Sequence, residues 1–203
     1  MTFPQPIHEA EYTYADYLSW DDQGRWELIS GEVFDMSPAP SRIHQEVSIR
    51  ISSSLYDFFK DKDCSVYAAP FDVRLPEEEG AEDYAVTTVV QPDISVICDR
   101  EKLDERGCVG APDLVVEILS PSTAAKDLKV KRALYEKHGV MEYWLFHPTD
   151  HTVMVYRSDK DDRYGKAEIY DWEDRLNSPL FEGLEIQLAD IFQEGRFGSQ
   201  AVK

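Results

Sequence analysis

Asp113-Leu-Val-Val-Glu-Ile-Leu119 is the stretch on which the fold turns. From Leu114 to Leu119 it is apolar on both faces apart from Glu117, as expected of a central strand covered on both sides. Upstream, Gln91-Pro-Asp-Ile-Ser-Val-Ile97 sets Asp93 just after a proline, at the head of a second apolar strand. Further strands are expected at 65–69, 71–75 and 167–172, and one long strand over 88–98. Residues 25–36 read as two strands turning at Ser30-Gly31, and 142–147 with 152–157 as a hairpin around Pro148-Thr149-Asp150.

Helices punctuate these strands. Thr13 and Asp16 are spaced as a variant capping box for a short helix over 13–20. Ile43, Val47, Ile51, Leu55 and Phe58 recur at three and four, so residues 41–60 form an amphipathic helix. Ser120-Pro-Ser-Thr123 opens another helix that stops at His138-Gly139, with glycine in the C′ position, and 188–193 reads as a closing helix. The fold class is therefore α/β (α+β), one domain over residues 1–195 with a loose tail over 196–203.

The chain has 203 residues, 21 basic against 40 acidic, a formal charge of −19. Its 42% hydrophobic and 12% aromatic content is that of a globular protein, not a disordered solvating one. Bulk electrostatics argues against coating nucleic acid or anionic lipid. Residues 126–138 depart from this: five basic against two acidic side chains make that stretch +3 and the remainder −22. Cys64, Cys98 and Cys108 are odd in number and lack CxxC spacing, so no disulfide framework is expected and a cytoplasmic location fits. The first residues have neither the basic nor the apolar region of a secretory signal. No run approaches 18 apolar residues, so no membrane association is expected.

The chemistry concentrates on the two carboxylates. Glu117 among Leu, Val and Ile faces a desolvation cost of several kcal/mol unless a cation compensates it. A structural salt bridge is one solution. Asp93 on a neighbouring strand would repel Glu117, and a divalent ion between them is the other solution. Oxygen ligands without a His/Cys pattern suit Mg2+ or Mn2+ rather than Zn2+. The basic segment supplies a partner: Asp127 and Lys131 are four apart, on one α-helical face. Lys126, Lys129, Arg132 and Lys137 read as an ordinary solvated face. The acid run Glu77-Glu-Glu-Gly-Ala-Glu-Asp83 reads as a solvated loop.

Trp26-Glu-Leu-Ile-Ser-Gly-Glu-Val33, Ser37-Pro38, His44, Pro92-Asp93, Val116-Glu-Ile-Leu-Ser-Pro-Ser122, Asp127 with Lys131, and Gly139-Val-Met-Glu-Tyr-Trp144 follow in an order and spacing that resemble the Uma2 family. The resemblance runs from Tyr14 to Phe192. It implies the restriction-endonuclease-like fold of the PD-(D/E)xK nucleases: a central mixed sheet flanked by helices that hydrolyses phosphodiester bonds, of DNA as the substrate expected here, with Mg2+ (or Mn2+). It further implies Asp93 and Glu117 as catalytic metal ligands and the Ile118 carbonyl as a third. Leu119 stands where the motif has its lysine, so the resemblance assigns that role to Lys131, with Lys129 second. Glu32, ahead of Glu27, is the candidate to complete the metal shell, and His44 is a candidate proton carrier or substrate contact. A homodimer is expected, with the 142–157 hairpin as a surface for it. Glu117→Gln and Lys131→Ala are expected to abolish cleavage and leave the fold intact. The alternatives are a catalytically silent metal- or nucleic-acid-binding regulatory module, motivated by Leu119, and metal-free acid–base hydrolysis of a substrate such as a glycoside by Asp93 and Glu117.

Overall fold

Thr13 starts the first helix, α1 (Tyr14–Leu18), through the expected capping box: its side chain accepts from the Asp16 N–H while the Asp16 carboxylate accepts from the Thr13 N–H. The computed structural model describes residues 11–20, 24–36 and 39–193. The expected loose tail and the Ser37-Pro38 motif lie outside the described residues. Ser30 and Gly31, both at positive φ, turn β1 (Trp26–Ile29) into β2 (Glu32–Asp35). Ser41 caps α2 (Arg42–Phe59) by accepting from the His44 N–H at 3.3 Å.

The buried face of α2 is His44, Val47, Ile51, Leu55 and Phe59. This differs at both ends from the expected stripe: Ile43 is left 42% exposed and Phe58 half-buried. The helix must aim its first turn at the strand ends, and that rotation brings His44 rather than Ile43 inward.

β3 (Ser65–Ala68) and β4 (Asp72–Arg74) follow. The single strand expected over 88–98 is two, β5 (Val89–Val90) and β6 (Ile94–Ile97), broken at Gln91-Pro92-Asp93. Pro92 has no N–H for a ladder, and there the chain leaves one sheet for another. β7 (Leu103–Asp104) and β8 (Gly107–Val109) are too short to show a sequence pattern. After β9 (Leu114–Ile118), a π-helical stretch, Lys126–Lys131, runs into α3 (Arg132–His138), which ends on left-handed Gly139. β10 (Glu142–His147), β11 (Thr152–Arg157), β12 (Glu168–Asp171), β13 (Arg175–Asn177), β14 (Glu185–Gln187) and α4 (Leu188–Ile191) complete the fold.

Two six-stranded mixed sheets result, in the orders β2-β1-β5-β4-β8-β7 and β12-β11-β10-β9-β6-β3, with β13 and β14 as a separate pair. In the second sheet β9 and β10 run parallel while β6 and β9 run antiparallel. One apolar cluster joins that sheet to α2, α4 and the β13–β14 pair through Val116, Trp144 and Phe146. The other joins its opposite face to the first sheet and α3 through Val115, Tyr143, Leu145 and Leu119. Even and odd residues of β9 thus face different layers, as its continuous apolar run requires.

Two expectations are corrected. The 142–157 hairpin is interior: β11 is bonded to β10 on one side and β12 on the other, so its strands offer no free edge for a dimer. Cys64 and Cys98, one step beyond the Ser65–Ile97 pairing of β3 and β6, form a disulfide, leaving Cys108 as the free, buried cysteine. The antiparallel register, invisible in cysteine spacing, makes that pair, and it removes the cysteine count as an argument for a cytoplasmic location. Among the described residues no helix is long and apolar enough to cross a membrane.

Leu55 is fully buried between α2 and the sheet. Leu55→Ala should lower unfolding stability by about 2–5 kcal/mol, read as a shift of the urea midpoint with an unchanged slope.

Candidate metal and catalytic site

Pairing of β6 with β9 sets Ile94 opposite Val116, and therefore Asp93, one residue before β6, beside Glu117. Opposed residues of adjacent strands share a face. Asp93 is tied down there: its Oδ2 accepts from the Ile118 N–H at 2.8 Å and lies 3.2 Å from His44 Nε2. The other ring nitrogen of His44, Nδ1, is buried with no hydrogen-bond partner among the described residues.

Glu117 is compensated from behind. Its Oε1 accepts from Lys131 Nζ at 2.7 Å and from the Tyr135 hydroxyl at 3.0 Å. Lys131, only 2% exposed, also lies 2.6 Å from Glu27 Oε1 and 3.9 Å from Asp127 Oδ1. Glu27 in turn accepts from the Gln91 N–H at 3.1 Å and from Lys126 Nζ at 2.7 Å. Glu27 alternates with Leu28 on β1, so Leu28 enters a small cluster with Tyr14 while Glu27 and Ile29 point toward the central sheet.

The two lysines share Glu27 because of the π-helix. In an α-helix residues five apart are about 140° apart around the axis. A π-turn closes one residue later and brings Lys126 and Lys131 toward one side. The expected α-helical pair, Asp127 with Lys131, is the longer contact.

The sequence-derived candidates divide accordingly. Asp93, Glu117, Ile118, Asp127, Lys131 and His44 all line one cleft of about 600 Å³. Glu32 is exposed beside the hairpin turn, opposite Ile29, and it is Glu27 that enters the cluster. Lys129 is exposed. Lys126 and Tyr135 escaped sequence reasoning. The helical wheel put Lys126 on the solvent side, and Tyr135 looks like ordinary core. Leu119 packs in the apolar layer between the sheets, on the same side as Glu117, so lysine's usual strand position is filled by hydrocarbon. The basic character of 126–138 is largely consumed by partners: Lys137 pairs with Glu77 and Arg132 with Glu136. Glu77 and Asp83 of the acidic loop are likewise ion-paired, Asp83 with Arg106.

Burial pushes the Glu117 carboxyl up to about 8, against the pull of Lys131 and helped by Asp127, Asp93 and Glu27. Burial also raises Asp127. At Glu27 burial is outweighed by Lys131 and Lys126, and its carboxyl is held below the usual range. Four carboxylates, Asp93, Glu117, Glu27 and Asp127, face two ammonium groups. Carboxyl groups in excess of their ammonium partners, on hard oxygens, are what a divalent cation suits. Among the described residues no three acidic, His or Cys side chains converge as a closed metal cluster. The oxygen donors present at the cleft are two carboxylates and a backbone carbonyl, hard ligands of the kind divalent cations take.

A mixed sheet with one acid before a central strand, another inside its neighbour and a lysine from the following helix defines a restriction-endonuclease-like protein. The family model of Uma2, described as "Putative restriction endonuclease", matches residues 14–189, and the chain belongs to that family. An uncharacterized protein of Synechocystis sp. is 27% identical over 159 residues, 77% of this chain and 75% of that protein. The crystal structure of a DUF820 protein from Anabaena variabilis, described as a "putative nuclease", superimposes with a TM-score of 0.70 at 24% identity. That match covers 89% of this chain and 97% of the other and shows a shared fold.

Lys131→Ala does not qualify as a silent structural change, because it strands buried Glu27 and Glu117. Lys131→Met should cost about 3–5 kcal/mol of stability, measured by denaturant unfolding. The pH dependence has a definite sign. A carboxyl raised from 4.5 to about 8 binds more protons folded than unfolded between those values. Its contribution therefore makes metal-free stability fall as pH rises through that window. Glu117→Gln, which mimics the protonated form, should flatten the curve between pH 5 and 8, within the window set by the titration of Glu117, in thermal melts.

Proposed function

We propose that this protein is a divalent-metal-dependent nuclease that hydrolyses phosphodiester bonds of DNA. The observation that carries this reading is the β6–β9 register: it lays Asp93 beside Glu117 at the cleft, with Lys131 2.7 Å from Glu117. Asp93, Glu117 and the Ile118 carbonyl would hold Mg2+ or Mn2+. Such an ion neutralises phosphate charge and makes water a stronger nucleophile. The chain's own groups prepare for it. The Ile118 N–H and His44 fix the Asp93 carboxylate, while Lys131 and Tyr135 fix Glu117. Lys131, linked to Glu27 as well, holds Glu117 in place in a dry surrounding, where charge–charge attraction acts most strongly. The silent-module alternative, motivated by Leu119, would gain from a lysine remote from the carboxylates; contact between Lys131 and Glu117 favours the active reading instead.

Purified protein should cut plasmid or single-stranded DNA in Mg2+ or Mn2+ and stop in excess chelator. Asp93→Asn and Glu117→Gln should each lower the rate by at least about a hundredfold, since even the partners that orient a metal ligand are worth about 10–100-fold. Cleavage that persists in chelator, or wild type that cuts neither DNA nor RNA with either ion, would overturn the reading.

A further inference from the structure

Lys131 is the lysine that the motif pattern selects, yet it is poorly placed to meet a substrate. Its side chain is 2% exposed and lies between Glu27 and Glu117, with Asp127 nearby. Its charge is committed to the protein. Lys126 is different. Its side chain is 18% exposed, it lines the same cleft as Asp93, Glu117 and Ile118, and its Nζ lies 5.6 Å from the centre of the Phe34 ring, another wall of that cleft.

We propose that Lys126 is the catalytic residue that contacts a non-bridging oxygen of the substrate phosphate, an assignment that rests on the nuclease reading above. Three features combine. The ammonium is anchored, because Glu27 Oε2 accepts from it at 2.7 Å. Anchoring sets the charge in advance and spares the entropy of ordering a free lysine. The anchor is one-sided: Glu27 Oε2 faces Lys126 while Glu27 Oε1 faces Lys131, so Lys126 meets one carboxylate oxygen and Lys131 meets Glu27, Glu117 and Asp127. An ammonium has three donors, and the bond to Glu27 uses one. Finally, Lys126 opens the π-helical turn Lys126–Lys131, a rare conformation frequently found at functional sites. Lys131 thus supports Glu117 from inside while Lys126 faces the substrate.

The test uses the full chain and a fluorescent single-stranded DNA oligonucleotide, with Ca2+ replacing Mg2+ so that the strand stays intact. For Lys126→Gln, the slope of log affinity against log salt should become shallower by about 0.7, one phosphate contact on a single strand. Lys126→Arg should keep the wild-type slope. In Mg2+, kcat/KM of Lys126→Gln should fall by about tenfold to a hundredfold, the worth of one charged hydrogen bond. A role confined to holding Glu27 would lower stability and leave the salt slope alone. A measurement on wild type covers the case in which Lys126→Gln fails to fold: an amine-reactive label should modify Lys126 in the free protein, be blocked there by the oligonucleotide, and leave Lys131 unmodified throughout. An unchanged slope, or no protection of Lys126, overturns the assignment. If wild type cleaves normally in either case, the nuclease reading stands and only the role of Lys126 is lost. Wild type that neither binds nor cuts nucleic acid removes both.

Discussion

One buried ammonium group joins three parts of the fold. Lys131, from the helical segment after β9, sits between Glu27 of one sheet and Glu117 of the other. An isolated charge in that position would cost several kcal/mol. It is tolerated because the surrounding groups are saturated: Tyr135 donates to Glu117, the Gln91 N–H donates to Glu27, and Lys126 covers the second oxygen of Glu27. The arrangement ties the spacing of the two sheets to the position of the helix, so the cleft has its shape only when all three elements are docked.

The same cluster is deliberately unbalanced. Its carboxyl groups outnumber its ammonium groups, and burial raises the carboxyls of Glu117 and Asp127 above the usual range. The raised carboxyl of Glu117 lowers the stability of the metal-free protein as pH rises toward 8. Arg74 with Asp104 and Arg106 with Asp83 are paired one to one away from the cleft. Acids outnumber bases outside the cluster too, so most of the formal charge of −19 lies away from the cleft, where Lys126 stands as a partly exposed ammonium group.

Much of the fold was legible because local rules govern it. The Thr13 capping box, the Ser30-Gly31 turn, the Ser41 cap and the Gly139 stop each follow from one to four residues. Asp93 and Glu117 were legible because a carboxylate at or inside an apolar strand contradicts its surroundings. Glu27 carries the same signal in the run Trp26-Glu-Leu-Ile29, where it interrupts apolar residues, yet the turn glycine directed attention to Glu32. Lys126 carried no signal, since its role depends on a π-turn, and an α-helical wheel turns it to solvent. The Cys64–Cys98 pair was hidden for a similar reason, as a contact between strands 34 residues apart that only register decides.

By itself the sequence determined most of the strands and helices, several of their ends, the carboxylates just before β6 and inside β9, and, through its ordered motifs, the family. Those properties depend on residues within a few positions of one another, where side-chain size, hydrogen bonding and periodicity act directly. Tertiary structure alone decided that Glu27 rather than Glu32 enters the cluster, that two lysines share it, that the 142–157 hairpin is interior, and which lysine faces the cleft. These are matters of which face meets which layer. That is set by the packing of two sheets on a helix, where the cost of burying an unpaired charge selects a single arrangement.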